Sequence, residues 1–150
     1  KNADFKWWGY GIEAICEKSS LRKTWQGITS GLEMYQIYKQ SKIVINDYIR
    51  EAKGIAANQR MFEVMGVGSF LLTRNAPNLI EEFPSNLFVT YTDAKDCLDK
   101  INYYLRNESE REEIAKAGQK YLIEKCSYKE LMAEIGSIIK EAYFNKFKRE

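Results

Sequence analysis

Histidine is absent from the 150 residues. That excludes Ser–His and Cys–His nucleophilic pairs and removes a principal zinc ligand. Cysteine is scarce: Cys16, Cys97 and Cys126 stand far apart with no Cys-x-x-Cys. The expectation is free, reduced, half-buried thiols in a cytoplasmic protein. Long apolar runs are missing too. None approaches the roughly 20 residues that a membrane span requires, and no charged-then-apolar stretch reads as a secretory leader. Net charge is only +2, too little to argue for nucleic acid or an anionic membrane as partner. The basic cluster of Lys146, Lys148 and Arg149 reads as a solvated helix end.

What is present suits one soluble domain over residues 1–150, with 45% apolar and 29% charged residues. Residues 4–8 form a short aromatic strand closed by a tight turn at Gly9, Tyr10 and Gly11. A Gly-x-Gly with no third glycine opening a helix is no dinucleotide fingerprint, which disfavours a dinucleotide-dependent oxidoreductase. A short helix over 12–18 and a strand over 23–25, closed by Gly27, are expected next. Residues 31–40 read as a helix with Met34, Ile37 and Tyr38 on one face. Residues 43–45 then make a β-branched strand. Asn46 and Asp47 follow at its carboxyl end, where α/β sheets place ligand-binding groups, although strand-end caps are the commoner role. Residues 48–57 are a loop or broken helix.

Residues 58–75 organise the rest. Met61, Val64 and Met65 sit one turn apart on a helix, which Gly66 and Gly68 close. The apolar run 69–73 reads as a strand covered on both faces. Glu63 is the odd residue, a carboxylate among apolar neighbours that needs donors, whether from solvent and the helix dipole or from a ligand's hydroxyls. A helical turn over 79–83 stops at Pro84, and 87–91 is a further strand. Asp93 caps a helix over 94–106 with Cys97, Leu98, Ile101, Tyr104 and Leu105 on one side. The helix over 110–125 has a stripe of Ile114, Ala117, Tyr121 and Leu122. Its acidic start, Glu108, Glu110, Glu112 and Glu113, reads as solvated, with no metal site. A capping box, Ser127 to Glu130, opens a last helix to about residue 146, which should pack across the sheet or reach a missing neighbour. Strand–helix alternation predicts an α/β, Rossmann-like parallel sheet with helices on both faces and a helical C-terminal tail. Trp7, Trp8 and Trp25 read as packing residues before stacking ones.

Asn58-x-Arg60-x-Phe62-Glu63, followed by Gly66-x-Gly68-x-Phe70-Leu71-Leu72-Thr73, resembles the donor-site signature of group 1 glycosyltransferases of the GT-B fold. It is most similar to the sub-group related to spore-maturation glycosyltransferases. The likeness runs from about Asp4 to Ile135. It includes Trp8 to Gly11, Trp25 to Ile28, Tyr35 to Asn46, Pro77 to Glu81, and the helix with Arg111 and Gly118. The resemblance implies a donor domain that binds a nucleoside-diphosphate sugar, with no obligatory metal or other cofactor. It sets Glu63 on the ribose hydroxyls and Asn58 and Arg60 near the diphosphate. It brings Gly9, Tyr10, Gly11, Gly27, Ile28 and Asn46 toward the nucleotide, and makes Gly68 the glycine that lets helix and strand pack closely. Group 1 enzymes often carry another Glu eight positions before Glu63, where this chain has Ile55. The expectation is a fragment of a longer enzyme, lacking an N-terminal acceptor domain and inactive without it. The alternative is a non-catalytic Rossmann-like binding module.

Overall fold

The computed structural model describes residues 3–48, 55–56 and 58–147, without the side chains of Ile80 and Phe147. Most of the expected loop over 48–57 lies outside the described residues. The chain gathers into two compact units, Lys1–Ile37 and Tyr38–Glu150.

In the first unit the two expected strands shrink to one parallel bridge between Trp7 and Trp25. The reason is local. A 3-10 turn at Ser20–Thr24 holds the chain until Thr24, and the Trp25 N–H still bonds back to Arg22 O at 3.3 Å. On the other side, the turn at Gly9 ends the extended segment at once. The expected helix over 12–18 is likewise only a 3-10 turn at Ile12–Ala14, because Ile15 goes extended and its carbonyl accepts from Arg22 Nη1 at 2.7 Å.

Helix α1 (Gly31–Gln40) has the bounds its periodicity predicts, and the division between units falls within it. In the second unit three strands, β1 (Val44–Asn46), β2 (Leu71–Arg74) and β3 (Val89–Tyr91), pair parallel in that order. Val44 faces Leu71 and Leu72 faces Val89 across the two ladders. Helix α2 (Gln59–Gly66) connects β1 to β2, and α3 (Pro77–Glu82) connects β2 to β3. Then come α4 (Ala94–Arg106), α5 (Glu108–Lys125) and α6 (Tyr128–Phe147).

Strand side chains alternate between faces, and that alternation builds two cores. Val44 and Leu71 join Met61, Val64 and Met65 of α2, Leu79 of α3 and Leu122 of α5. Ile45, Leu72 and Tyr91 point the other way, to Cys97, Ile101 and Tyr104 of α4 and Ala115 of α5. The sheet is covered on both faces, the α/β Rossmann-like arrangement. Each buried Met, Leu or Phe contributes about 1.5–3 kcal/mol.

Three details differ from the periodicity. The buried line of α5 is Arg111, Ala115, Gly118 and Leu122, while Ile114, Ala117 and Tyr121 are half-buried flanks. The helix comes closest where its residues are small: a Cβ on Gly118 would stand 2.8 Å from Leu87 O. Leu98 of α4 is exposed, as are Cys16 and Cys126. The last helix opens on the expected cap, Glu130 N–H to Ser127 Oγ at 3.3 Å, yet none of its described side chains enters either core. Ile135, Ile138, Ile139 and Tyr143 remain exposed on it.

Candidate functional site

Polar groups concentrate at the carboxyl edge of the sheet, where a parallel strand hands over to the next helix. Asn58 is the N-cap of α2, extended at φ −89° and ψ 155°, with Oδ1 accepting from the Met61 N–H at 3.3 Å. Its Nδ2 donates to Asn46 Oδ1 at 3.0 Å and to Asp47 O at 3.1 Å. Asn46, the last residue of β1, donates from Nδ2 to Asn58 Oδ1 at 3.2 Å and to Thr73 Oγ1 at 3.0 Å. The Tyr91 hydroxyl donates to Asn46 O at 3.1 Å. Each strand thus contributes one member, and Asn46 and Thr73 are fully buried. Burial, with the charge of Asp47 adding to it, pushes the Tyr91 phenol up to about 12.

A second ring of bonds fixes the approach. Arg74 pairs with Asp47 at 3.2 Å, and the Tyr48 hydroxyl donates to Asn75 O at 2.7 Å. Asn78 of α3 bonds both backbone groups of Ala56, accepting from N–H at 2.9 Å and donating to O at 2.6 Å. The start of α2 is held from three sides.

Arg60 is exposed and Glu63 half-buried on the same helix, three residues apart and so neighbours on its surface. Neither side chain has an ion-pair or hydrogen-bond partner among the described residues. Ile55, where many group 1 enzymes carry a further carboxylate, is exposed. Gly68 stands at the far end of α2, about 12 Å from its start by helix rise. Its φ of +73° makes the left-handed turn into β2, and Gln119 lies over it, donating to Gly66 O at 3.1 Å. Gly68 therefore serves the helix-to-strand junction and is not grouped with Asn46, Asn58, Arg60 and Glu63.

The remaining candidates lie in the first unit. Gly9 N–H donates to Gly27 O at 2.9 Å, and Trp25 Nε1 donates to Gly9 O at 2.9 Å. Gly9, Gly11 and Gly27 all take positive φ. Trp7 and Trp25 rings pack 6.3 Å apart, the packing role expected of them. Tyr10 and Ile28 are exposed. Beside Ile28, the Thr29 hydroxyl is buried with no partner among the described residues.

Sequence reasoning missed Thr73, Tyr91 and Asn78 as members of these networks, and the unpartnered hydroxyl of Thr29. For Thr73 a signal existed: a polar residue ending an apolar strand next to the carboxyl edge needs a partner. A groove of about 570 Å³ lies elsewhere, lined by residues of α3, β3 and Lys100, and holds none of the predicted site residues. Among the described residues no helix is long and apolar enough to cross a membrane.

The fold and this edge define a Rossmann-like α/β domain whose polar residues gather where the strands end. The chain matches the model of the family described as Glycosyl transferase-like over residues 1–137 and belongs to that family, so it carries a glycosyltransferase domain. Neither a curated protein nor a solved structure matches it.

Proposed function

We propose that this chain is the donor-binding part of a GT-B, group 1 glycosyltransferase of the spore-maturation type, and that it binds a nucleoside-diphosphate sugar. The observation that carries the reading is the contrast on α2. The side chains of Asn58 and Asn46 bond to one another and to Asp47 O, the Met61 N–H and Thr73, while Arg60 and Glu63, one turn apart, have no side-chain partner among the described residues. A carboxylate without donors suits a ribose diol, which offers two hydroxyls to two oxygens. A guanidinium beside a capped helix start suits a diphosphate, because fixed charge, N–H groups and dipole act together.

In transfer, the bond from the anomeric carbon to the diphosphate oxygen breaks, its electron pair leaving with the diphosphate; a bond to an acceptor hydroxyl oxygen forms, and that hydroxyl's proton passes to the departing diphosphate. Arg60 and the α2 amides stabilise the charge growing on the leaving group, with no metal required in this reading. In this reading the anomeric configuration is retained, as in the wider group, and an N-terminal domain binds the acceptor.

The test is calorimetric titration with UDP-, GDP- and CMP-sugars. One of these is expected to bind, and Glu63→Gln to weaken it about tenfold or more by losing charge-assisted bonds to the ribose. Arg60→Ala should weaken it similarly and flatten its salt dependence. No binding by any nucleotide sugar overturns the proposal.

A further inference from the structure

We infer that Thr73 and Tyr91 are positioning residues for the start of α2, acting through the paired amides of Asn46 and Asn58, which hold that start and do not touch a ligand. What the helix start receives rests on the nucleotide-sugar reading above; that these groups set it does not.

An Asn amide has two N–H donors and a carbonyl oxygen with two lone pairs. In Asn58 all four are occupied, by Asn46 Oδ1, Asp47 O, Asn46 Nδ2 and the Met61 N–H. In Asn46 both donors are spent, on Asn58 and Thr73, and Oδ1 already accepts from Asn58. Neither amide has an N–H left to offer a phosphate.

The orientation of Asn58 is also determined. Met61 N–H requires an acceptor and Asp47 O requires a donor, so the amide cannot turn over without two clashes of like groups. That choice propagates to Asn46, whose Nδ2 must then find an acceptor on its other side, and Thr73 Oγ1 supplies it at 3.0 Å. Tyr91 fixes the backbone of the same residue from β3. The chain Tyr91 and Thr73, Asn46, Asn58, Met61 therefore links all three strands to the first turn of α2. Gln59 and Arg60, whose N–H groups open the helix, inherit their position from it.

Thr73→Val keeps the shape but removes the acceptor, leaving one Asn46 N–H buried and unpaired. Hydrogen exchange followed by NMR reads the result. In the unaltered protein the Nδ2 protons of Asn46 and Asn58 should exchange slowly. In Thr73→Val these protons and the Met61 N–H should exchange about tenfold faster or more, with the β2 amides still protected. Affinity for UDP-glucose or GDP-mannose, whichever binds, should fall about three- to tenfold, and Thr73→Ser should restore both properties. Tyr91→Phe is the second variant if Thr73→Val does not fold, with the same direction expected. Exchange unchanged in both variants overturns the inference, as does fast Nδ2 exchange in the unaltered protein. If no nucleotide sugar binds the unaltered protein, the functional reading falls, while the exchange rates still decide whether Thr73 and Tyr91 set the helix start.

Discussion

Tyr91 makes the carboxyl edge sensitive to alkali. Burial is the main cause that lifts its phenol from 10.0 to about 12, and the charge of Asp47 adds to it. The folded state therefore holds the proton more tightly than the unfolded chain. The stability this represents is whole below pH 10 and is lost as pH rises through about 12. It amounts to roughly 3 kcal/mol at most. Denaturant melts should show that loss in the unaltered protein and a shallower alkaline limb in Tyr91→Phe. Thr29 gives a prediction of opposite sign. Its hydroxyl is buried without a partner among the described residues, so Thr29→Val should stabilise the protein by about 1 kcal/mol, raising Tm. An unchanged or lowered Tm would show that the hydroxyl is bonded in solution.

Helix ends and helix contacts carry the next scale. Asp93 Oδ1 accepts from Lys95 N–H at 2.8 Å and Asp96 N–H at 2.9 Å, so Asp93→Ala should cost about 1 kcal/mol by denaturant unfolding. Asp96 in turn binds Lys100 at 2.8 Å, and Lys100 Nζ reaches Thr90 O at 2.7 Å. That lysine covers a carbonyl of β3, the last strand in the sheet order, and a lysine on such a strand disfavours pairing with another chain. The Lys100 bond, with the Thr92 N–H behind it, holds the Asp96 carboxyl below its usual range, so this contact is lost as pH falls through that lowered value. At Gly118, α5 meets backbone. An alanine there gains helix propensity but sets its Cβ 2.8 Å from Leu87 O and 3.3 Å from Met65 Cγ. Overpacking against a carbonyl outweighs the gain, and Gly118→Ala should destabilise by about 1–2 kcal/mol in the same assay. Arg111 belongs to this scale too. Buried, it ties α5 to the end of α4 through Tyr104 O at 2.7 Å and pairs with Glu108 at 2.6 Å. Nothing in the polar-looking start of α5 pointed to a buried cation.

For the whole molecule, the proposed donor should act as a stabiliser by mass action. A nucleotide sugar that binds only the folded state, at 100 times its Kd, adds about 2.7 kcal/mol to unfolding. Thermal melts should then rise with ligand concentration in the unaltered protein and much less in Glu63→Gln. The long apolar and alternating stretches were enough to read α1, the three strands of the sheet and α4 to α6. The helix over 31–40 and the Asp93-capped helix over 94–106 were legible to the residue, since periodicity and a cap agree there. The aromatic segments of the first unit misled, because strand propensity is not a partner. With Thr24 held in a 3-10 turn, Trp7 finds one bridging residue and no ladder.

Local chemistry along the chain therefore settled the kind of fold and the helix that bears Asn58, Arg60 and Glu63, because periodicity, caps and glycines act over a few residues. Only the folded arrangement decided which of those polar groups are spent and which have no partner among the described residues. Asn46 and Asn58 stand 12 positions apart, and Thr73 27 beyond Asn46, so no pattern along the chain could show their amides closing on one another. Hydrogen-bond capacity is finite, and whether a side chain still has any to offer is set by the neighbours that three parallel strands bring to one edge.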